Sequence, residues 1–313
     1  MKLNLLAIFS RCRLSVAINW PIFLLMSITL KGCGWMPKAL QTQQQFIDNT
    51  VLVDPAIKHY QLKEDNFSLS VHSNGVAQQA VMLWIHGTPG SWEDSAYFIS
   101  QSPLLSKVLV VSIDRPGWGQ SQYLDVAKPI SEFSQQVHYI RPLIKQLKQQ
   151  HPELPLIVVG HSWGASLAPL LASSNAEVDG LLLLAGGLSA ELTQPRWYNR
   201  FARSGVGHSL LGLFEFGQVL NHSNLDMYAL ATGLRHSDRL LASLKIPTIV
   251  VQGSKDDLVD PKNADFAESH LNPKYSKVLR LADQGHLLQI EQVALVSRCV
   301  LALAAQQLQQ CHS

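Results

Sequence analysis

The chain has 313 residues, of which 47% are hydrophobic and 15% charged, well below the roughly 25% charged content of ordinary soluble domains. That much apolar side chain can build a sizeable core and excludes general disorder. A balance of 25 basic against 23 acidic residues, net +2 and without a long Lys/Arg cluster, excludes a nucleic-acid coat protein and predicts no nucleic-acid partner.

The N-terminal segment differs from the rest. Residues 1–38 hold five basic residues (Lys2, Arg11, Arg13, Lys31, Lys38) and no acid, and Leu14 to Leu30 runs seventeen residues without a charge. A basic start before an apolar stretch is the pattern of an export signal. The stretch falls short of the ~20 residues of a spanning helix, and Pro21 would kink one. Leu30-Lys31-Gly32-Cys33 resembles the lipobox of bacterial lipoprotein signals, in which a lipidated cysteine becomes the first residue; Lys31 stands where that motif has a small or apolar residue. Residues 1–33 therefore read as a signal peptide or lipoprotein leader with Cys33 as the lipidation site; the alternatives are a membrane anchor and a buried N-terminal helix. This places the protein in the cell envelope, membrane-attached through its N-terminus or periplasmic.

Residues 34–66, with the polar run Gln41-Thr42-Gln43-Gln44-Gln45 and a loop at Asp54-Pro55, read as a poorly structured lead-in. Phe67-Ser68-Leu69-Ser70-Val71 alternates strictly, as a half-exposed strand near a sheet edge does. Ala80–Ile85 and Val108–Ile113 are continuously apolar, the pattern of strands covered by helices on both faces. Leu156–Val159, Val178–Ala185, Ile246–Gln252 and Lys277–Leu281 continue the series. Helical stretches fall at about 130–150, with Ser131 as N-cap, and at about 163–173, 261–269 and 289–310. Alternating strands and helices predict an α/β fold with a mostly parallel central sheet, its core formed by residues 67–186 and 245–313.

Residues 187–244 break the alternation. They are too many for a plain strand–helix–strand connection, and their apolar helical stretches are interrupted by Gly205, Gly207, Gly212, Gly217 and Gly233. They read as a helical lid over the C-terminal edge of the sheet, where such folds bind ligands. Among the four cysteines (Cys12, Cys33, Cys299, Cys311) the spacing fits no compact metal motif. Cys299 and Cys311, twelve apart, are expected to be free, one buried and one on a frayed tail.

The sharpest motif is Gly160-His161-Ser162-Trp163-Gly164, set between a buried strand and a helix. A strand meeting a helix with almost no loop forces a strained turn at Ser162, and flanking glycines avoid backbone collisions. The turn places the hydroxyl over a helix N-terminus, whose dipole favours developing negative charge. Such a serine needs a base, and the base an orienting carboxylate. Asp256 or Asp257, after the strand 246–252, and His286, after the strand 277–281, both emerge on the same sheet edge.

These motifs resemble the α/β-hydrolase superfamily, in its serine-nucleophile branch with a short helical lid, over about residues 67–310. The resemblance rests on HGTPGS (86–91), DRPGWGQS (114–121), GHSWGA (160–165), GSKDDLVD (253–260) and QGH (284–286). It implies the α/β-hydrolase fold, with helices on both faces of the sheet and a helical lid insertion, and a triad of Ser162, Asp256 and His286. It further implies an oxyanion hole from the backbone N–H groups of Thr88 and Trp163, and no metal or organic cofactor. His86, Asp114 and Arg115 are expected to brace loops, and Pro169 to kink the helix after Ser162. Subclasses with an aspartate nucleophile are disfavoured because Ser162 stands in its place.

The expected activity is hydrolysis of carboxylic esters of small or medium acyl groups through an acyl-enzyme. The HGTPG loop also resembles that of proline-releasing aminopeptidases, so an aminopeptidase or amidase is the alternative. It would need a lid acid, Glu191, Glu215 or Asp226, to hold the substrate amine. A non-catalytic envelope-attached binding protein is the third reading.

Overall fold

The computed structural model describes residues 38–126, 128–211, 213 and 217–312. The leader and its Cys33 lie outside the described residues. Among the described residues nine strands form one sheet in the order β1-β2-β4-β3-β6-β7-β8-β9, with the two-residue β5 (Gln122–Tyr123) added to β2. These are β1 (Lys58–Glu64), β2 (Phe67–Gly75), β3 (Ala80–Ile85), β4 (Val108–Ile113), β6 (Leu156–His161), β7 (Gly180–Leu184), β8 (Thr248–Gly253) and β9 (Ser276–Leu281). From β4 through β9 every pairing is parallel, whereas β2 runs antiparallel to both β1 and β4.

The continuously apolar strands β3, β6, β7 and β8 are buried throughout, because separate hydrophobic clusters cover the two faces of the sheet. One face packs α3 (Phe133–Gln150), α4 (Trp163–Ser174) and α9 (Asn263–His270); the other packs α2 (Ala96–Ser100) and α11 (Val293–Ala304). The last of these follows α10 (Leu288–Glu291). Helix α3 begins at Phe133 after an extended Glu132, not at a Ser131 cap. Helix α4 continues unbroken through Pro169 to Ser174.

The N-terminal expectations need correcting. Of the segment 34–66, the described residues 38–66 are not a poorly structured lead-in: α1 (Lys38–Phe46) leads into the π-helical turn Ile47–Val51, which packs Ile47 and Val51 into the core, and β1 forms the sheet edge. Strand β2 is therefore an inner strand. Its alternation does set its faces, since Phe67, Leu69 and Val71 enter one hydrophobic cluster. Ser68 and Ser70 are buried as well, and are satisfied by hydrogen bonds to Gln61, His59 and His72.

A second correction concerns the cysteines. Cys299 and Cys311 form a disulfide, with their Cα atoms 4.5 Å apart. Cys299 lies on the buried face of α11, and the 3₁₀ turn Leu308–Gln310 folds the tail back until Cys311 is itself fully buried.

The described residues of 187–244 include four helices: α5 (Trp197–Arg203), α6 (Gly205–Leu211), α7 (Gly217–Gly233) and α8 (Ser237–Ser243). Gly205 and Gly217 open helices and Gly233 closes one. At Gly207, inside α6, a Cβ would collide with the Phe201 carbonyl of α5, so this glycine permits the two helices to meet closely.

Candidate active site

Four loops leave the C-terminal edge of neighbouring parallel strands. Thr88 follows β3, Ser162 follows β6, Asp256 follows β8 and His286 follows β9. The turn at Ser162 has φ 53° and ψ −119°, a conformation that L residues rarely adopt. It survives because its surroundings leave no room to relax. A Cβ on Gly160 would lie 2.5 Å from the Ala165 nitrogen, and one on Gly164 would strike the Ile85 carbonyl. Ser162 donates its own N–H to Leu184 O at 2.8 Å, which ties the turn to β7.

Asp256 is buried and its Oδ2 lies 2.8 Å from His286 Nδ1. Its Oδ1 accepts the N–H groups of Leu258 and Val259, each at 2.9 Å, and Gln252 Nε2 donates to Oδ2. The neighbouring Asp257 is exposed, so the structure selects Asp256 as the partner of His286. Burial pushes the Asp256 carboxyl up, but His286 and the two backbone donors hold it below the usual carboxylate range. Burial pulls His286 below the usual imidazole range against the opposing pull of Asp256, leaving a neutral ring at pH 7.

Ser162 and His286 line one cavity of about 200 Å³, together with Thr88 and Trp163. Among the described residues no hydrogen bond occupies the backbone N–H of Thr88 or of Trp163, the first residue of α4. The remaining walls are mixed: Leu192, Met227, Leu230, Leu258 and Val259 are apolar, and Ser166, Thr193, Gln194, Asn199 and Ser223 are polar. Arg196 at the rim is the one charged group besides the titratable His286, and no acid lines the cavity among the described residues.

His86, Asp114 and Arg115 brace the loops around the cavity. His86 Nδ1–H donates to Gly87 O at 2.7 Å, and His86 Nε2 accepts the Arg115 N–H at 2.9 Å. Asp114 accepts the N–H groups of Trp92 and Gln120. The Arg115 guanidinium, fully buried, donates to His86 O and Gly87 O and pairs with Asp226 of α7 at 2.8 Å. It lies over the Trp163 ring, 4.0 Å from the centroid. Asp226 is thus committed to Arg115 and Trp118, and Glu191 is exposed outside the cavity lining; Glu215 lies outside the described residues.

Two site residues escaped the sequence reading. His161, beside the nucleophile position, bonds Asp94 through Nδ1 at 3.2 Å and the His286 carbonyl oxygen through Nε2 at 3.1 Å. His161 was visible inside GHSWG, but nothing in the chain marks Asp94, 67 residues earlier, as its partner.

Residues 82–298 match the alpha/beta hydrolase family. A monoglyceride lipase of Homo sapiens is 23% identical over 241 residues, covering 68% of this chain and 77% of that protein. A thioesterase domain from the curacin biosynthetic pathway superposes with a TM-score of 0.58 at 20% identity, covering 79% of this chain and 99% of its own. An epoxide hydrolase from Vigna radiata gives a TM-score of 0.61 at 16% identity, covering 81% and 99% respectively. At these identities the structural matches establish the fold.

Proposed function

The chain belongs to the alpha/beta hydrolase family, and from that membership and the site geometry we propose that it is a serine hydrolase cleaving carboxylic esters of small or medium acyl groups. The observation that carries this reading is the convergence of Ser162 and the Asp256–His286 pair on one cavity beside two uncommitted backbone N–H groups. In the proposed reaction His286 Nε2 takes the Ser162 proton as Oγ attacks the ester carbonyl, and Asp256 holds the ring through Nδ1–H. The Thr88 and Trp163 N–H groups stabilise the oxyanion, at roughly 3 kcal/mol each. His286 then protonates the leaving alkoxide, and water activated by the same ring releases the acid.

The cavity's small volume and the apolar patch of Leu192, Met227, Leu230, Leu258 and Val259 suit a short acyl chain, and the similarity to a monoglyceride lipase supports an ester. Of the acids an aminopeptidase could use to hold a substrate amine, Asp226 is engaged by Arg115 and Trp118 and Glu191 is exposed away from the cavity. The proposal extends to envelope attachment through Cys33, which mass analysis of the mature N-terminus tests: a diacylglyceryl cysteine supports it, and an intact Met1 in native membranes contradicts it.

The direct test is covalent labelling with a fluorophosphonate. The wild-type chain should label and Ser162→Ala should not; equal labelling of both would sink the reading. A panel of acyl nitrophenyl esters and aminoacyl arylamides then settles the substrate class, with turnover of arylamides alone overturning the ester assignment. Because His286 sits below the usual imidazole range, kcat/KM should stay on its plateau to somewhat below pH 6.5 before His286 protonation ends it.

A further inference from the structure

We propose that His161 and Asp94 form a second, charged imidazolium–carboxylate pair that positions His286 and shifts the pH at which it becomes a base. The inference rests on the serine-hydrolase reading and adds two positioning residues to it.

The protonation state follows from the partners. His161 Nε2 lies 3.1 Å from the backbone carbonyl oxygen of His286, an acceptor with no proton to give, so Nε2 must carry hydrogen. His161 Nδ1 lies 3.2 Å from Asp94 Oδ2, a carboxylate, and carries the second. Both nitrogens therefore donate, and the ring is an imidazolium. Its side chain is 5% exposed and that of Asp94 16%, so the pair is shielded from solvent screening.

One carboxylate thereby joins three loops. Asp94 lies in the 3₁₀ turn Trp92–Ser95 that follows the Thr88 loop. His161 ends β6, directly before Ser162. Asp94 Oδ1 accepts from Gln289 Nε2 at 2.9 Å, and Gln289 sits in α10 just after His286. Loosening this junction would let the imidazole drift from Ser162, and small misplacements of that kind are expensive in rate.

The pair also acts through charge. The His161 and His286 ring centroids are 5.0 Å apart. The charged groups that bear on His286 are His161, Asp256 and Asp94, with the imidazolium opposing its protonation and the two carboxylates favouring it. Burial alone would neutralise His161, but Asp94, the His286 carbonyl and Asp256 together outweigh it and raise the ring above the usual imidazole range. Burial likewise pushes Asp94 up, and His161, the nearby His86 and the Gln289 donor hold it below the usual carboxylate range.

The test uses the full chain and reads the rate of fluorophosphonate labelling at Ser162, together with kcat and KM on a short-chain nitrophenyl ester, as functions of pH. His161→Gln removes the positive charge while keeping one donor, so the acid limb should move up by about one unit. Its plateau kcat should fall about tenfold, with KM within about twofold. Asp94→Asn should move the limb the same way by less, because it removes a carboxylate along with the imidazolium, and Asp94→Glu should restore part of the plateau rate. An unmoved acid limb in both folded variants, or a rise in KM at constant kcat, overturns the proposal. Nitrogen NMR of the His161 ring in the wild-type protein tests the pair without any substitution: both nitrogens protonated at pH 8 supports it, and a neutral ring overturns it. A wild-type chain that never labels would instead refute the serine-hydrolase reading, leaving the NMR result to judge the pair separately.

Discussion

The sheet and the 187–244 insertion are held by different kinds of contact. Strands β3, β6, β7 and β8 are buried throughout between two hydrophobic clusters. The insertion exposes Trp197, Phe201, Val206, Leu210 and Leu213, and α7 buries few side chains. Its attachment relies heavily on single polar contacts. Arg115 and Trp118 bond the Asp226 carboxylate, Trp163 Nε1 donates to Asp226 O at 3.0 Å, and Asn263 Oδ1 accepts the N–H groups of Leu188 and Ser189. Arg196 grips the Asp257 and Leu258 carbonyl oxygens from the exposed side. Distributed apolar burial tolerates the loss of any one contact, whereas a point attachment does not. One wall of the cavity is therefore fixed by the core, and the other combines the burial of Leu188, Leu230, Leu234 and Leu241 with polar contacts centred on the Arg115–Asp226 pair.

The largest expected effect separates catalysis from both supports. Asp256→Asn keeps an oxygen to accept the Leu258 and Val259 N–H groups, but no longer holds His286 in the required tautomer. Activity on the esters should fall by about 10⁴-fold while the thermal midpoint stays close to that of the wild type. A large drop in the midpoint would mean that the site and the core are not separable in the way the two kinds of contact suggest.

Asp226→Ala attacks the point attachment. It strands the buried Arg115 guanidinium, and breaking a buried pair in this way costs about 3–5 kcal/mol. Denaturant unfolding should report that loss, and hydrogen exchange should localise early opening to α7. The paired replacement Arg115→Met with Asp226→Leu should recover most of the stability, since no charge is then left buried alone. If Asp226→Ala lowered stability by less than about 1 kcal/mol, the insertion would have to be held by its apolar contacts instead.

What was readable in the chain divides along the same line. The strands from β3 onward and the GHSWG turn announce themselves through local pattern: unbroken apolar runs, and glycines at positions where a Cβ would strike backbone. Asp256 and His286 could be placed because each follows a recognisable strand. Strand β1, Lys58-His59-Tyr60-Gln61-Leu62-Lys63-Glu64, escaped because an edge strand needs little apolar surface, and its pairing with β2 is a tertiary fact. The Asp94–His161 and Arg115–Asp226 pairs span 67 and 111 residues. No short-range period encodes such pairs; they follow only from the sheet order that brings the loops together. The Cys299–Cys311 bridge escaped for a simpler reason, because twelve residues of helix and tail give no sign that a 3₁₀ turn reverses the chain.

That bridge offers a control on the core side of the comparison. A disulfide closing a loop of this length stabilises by about 3 kcal/mol, chiefly by restricting the unfolded chain. Replacing Cys299 and Cys311 together by alanine should lower unfolding stability by about that amount, while ester turnover and the hydrogen exchange of α7 relative to the core stay unchanged. A selective loosening of α7 in this variant would show that the insertion draws its stability from the whole sheet rather than from its own attachment.

The smallest effect is a pH dependence carried by the attachment itself. His222 of α7 stacks on Trp118, 4.1 Å between ring centroids, and lies 3.9 Å from Asp226. Burial and the Arg115 charge bring His222 down to about 4, against the upward pull of Asp226. An imidazole depressed in the folded state gives stability that is fully present above pH 6.5 and is lost as pH falls, because below that value the unfolded chain takes up a proton that the folded chain refuses. Between pH 7 and pH 5 this should remove about 2 kcal/mol. His222→Phe keeps a ring against Trp118 but has no such proton to bind, so its stability should decline less over that range by about the same amount. His72 and His86 are also depressed by burial, but they sit on the sheet side and are unchanged in the variant. His72 acts equally on both proteins, and His86 is depressed chiefly by burial and Arg115 with only a lesser contribution from His222, so the difference between the two pH curves belongs to the α7 contact. Parallel curves would place the acid sensitivity of the fold entirely in the sheet.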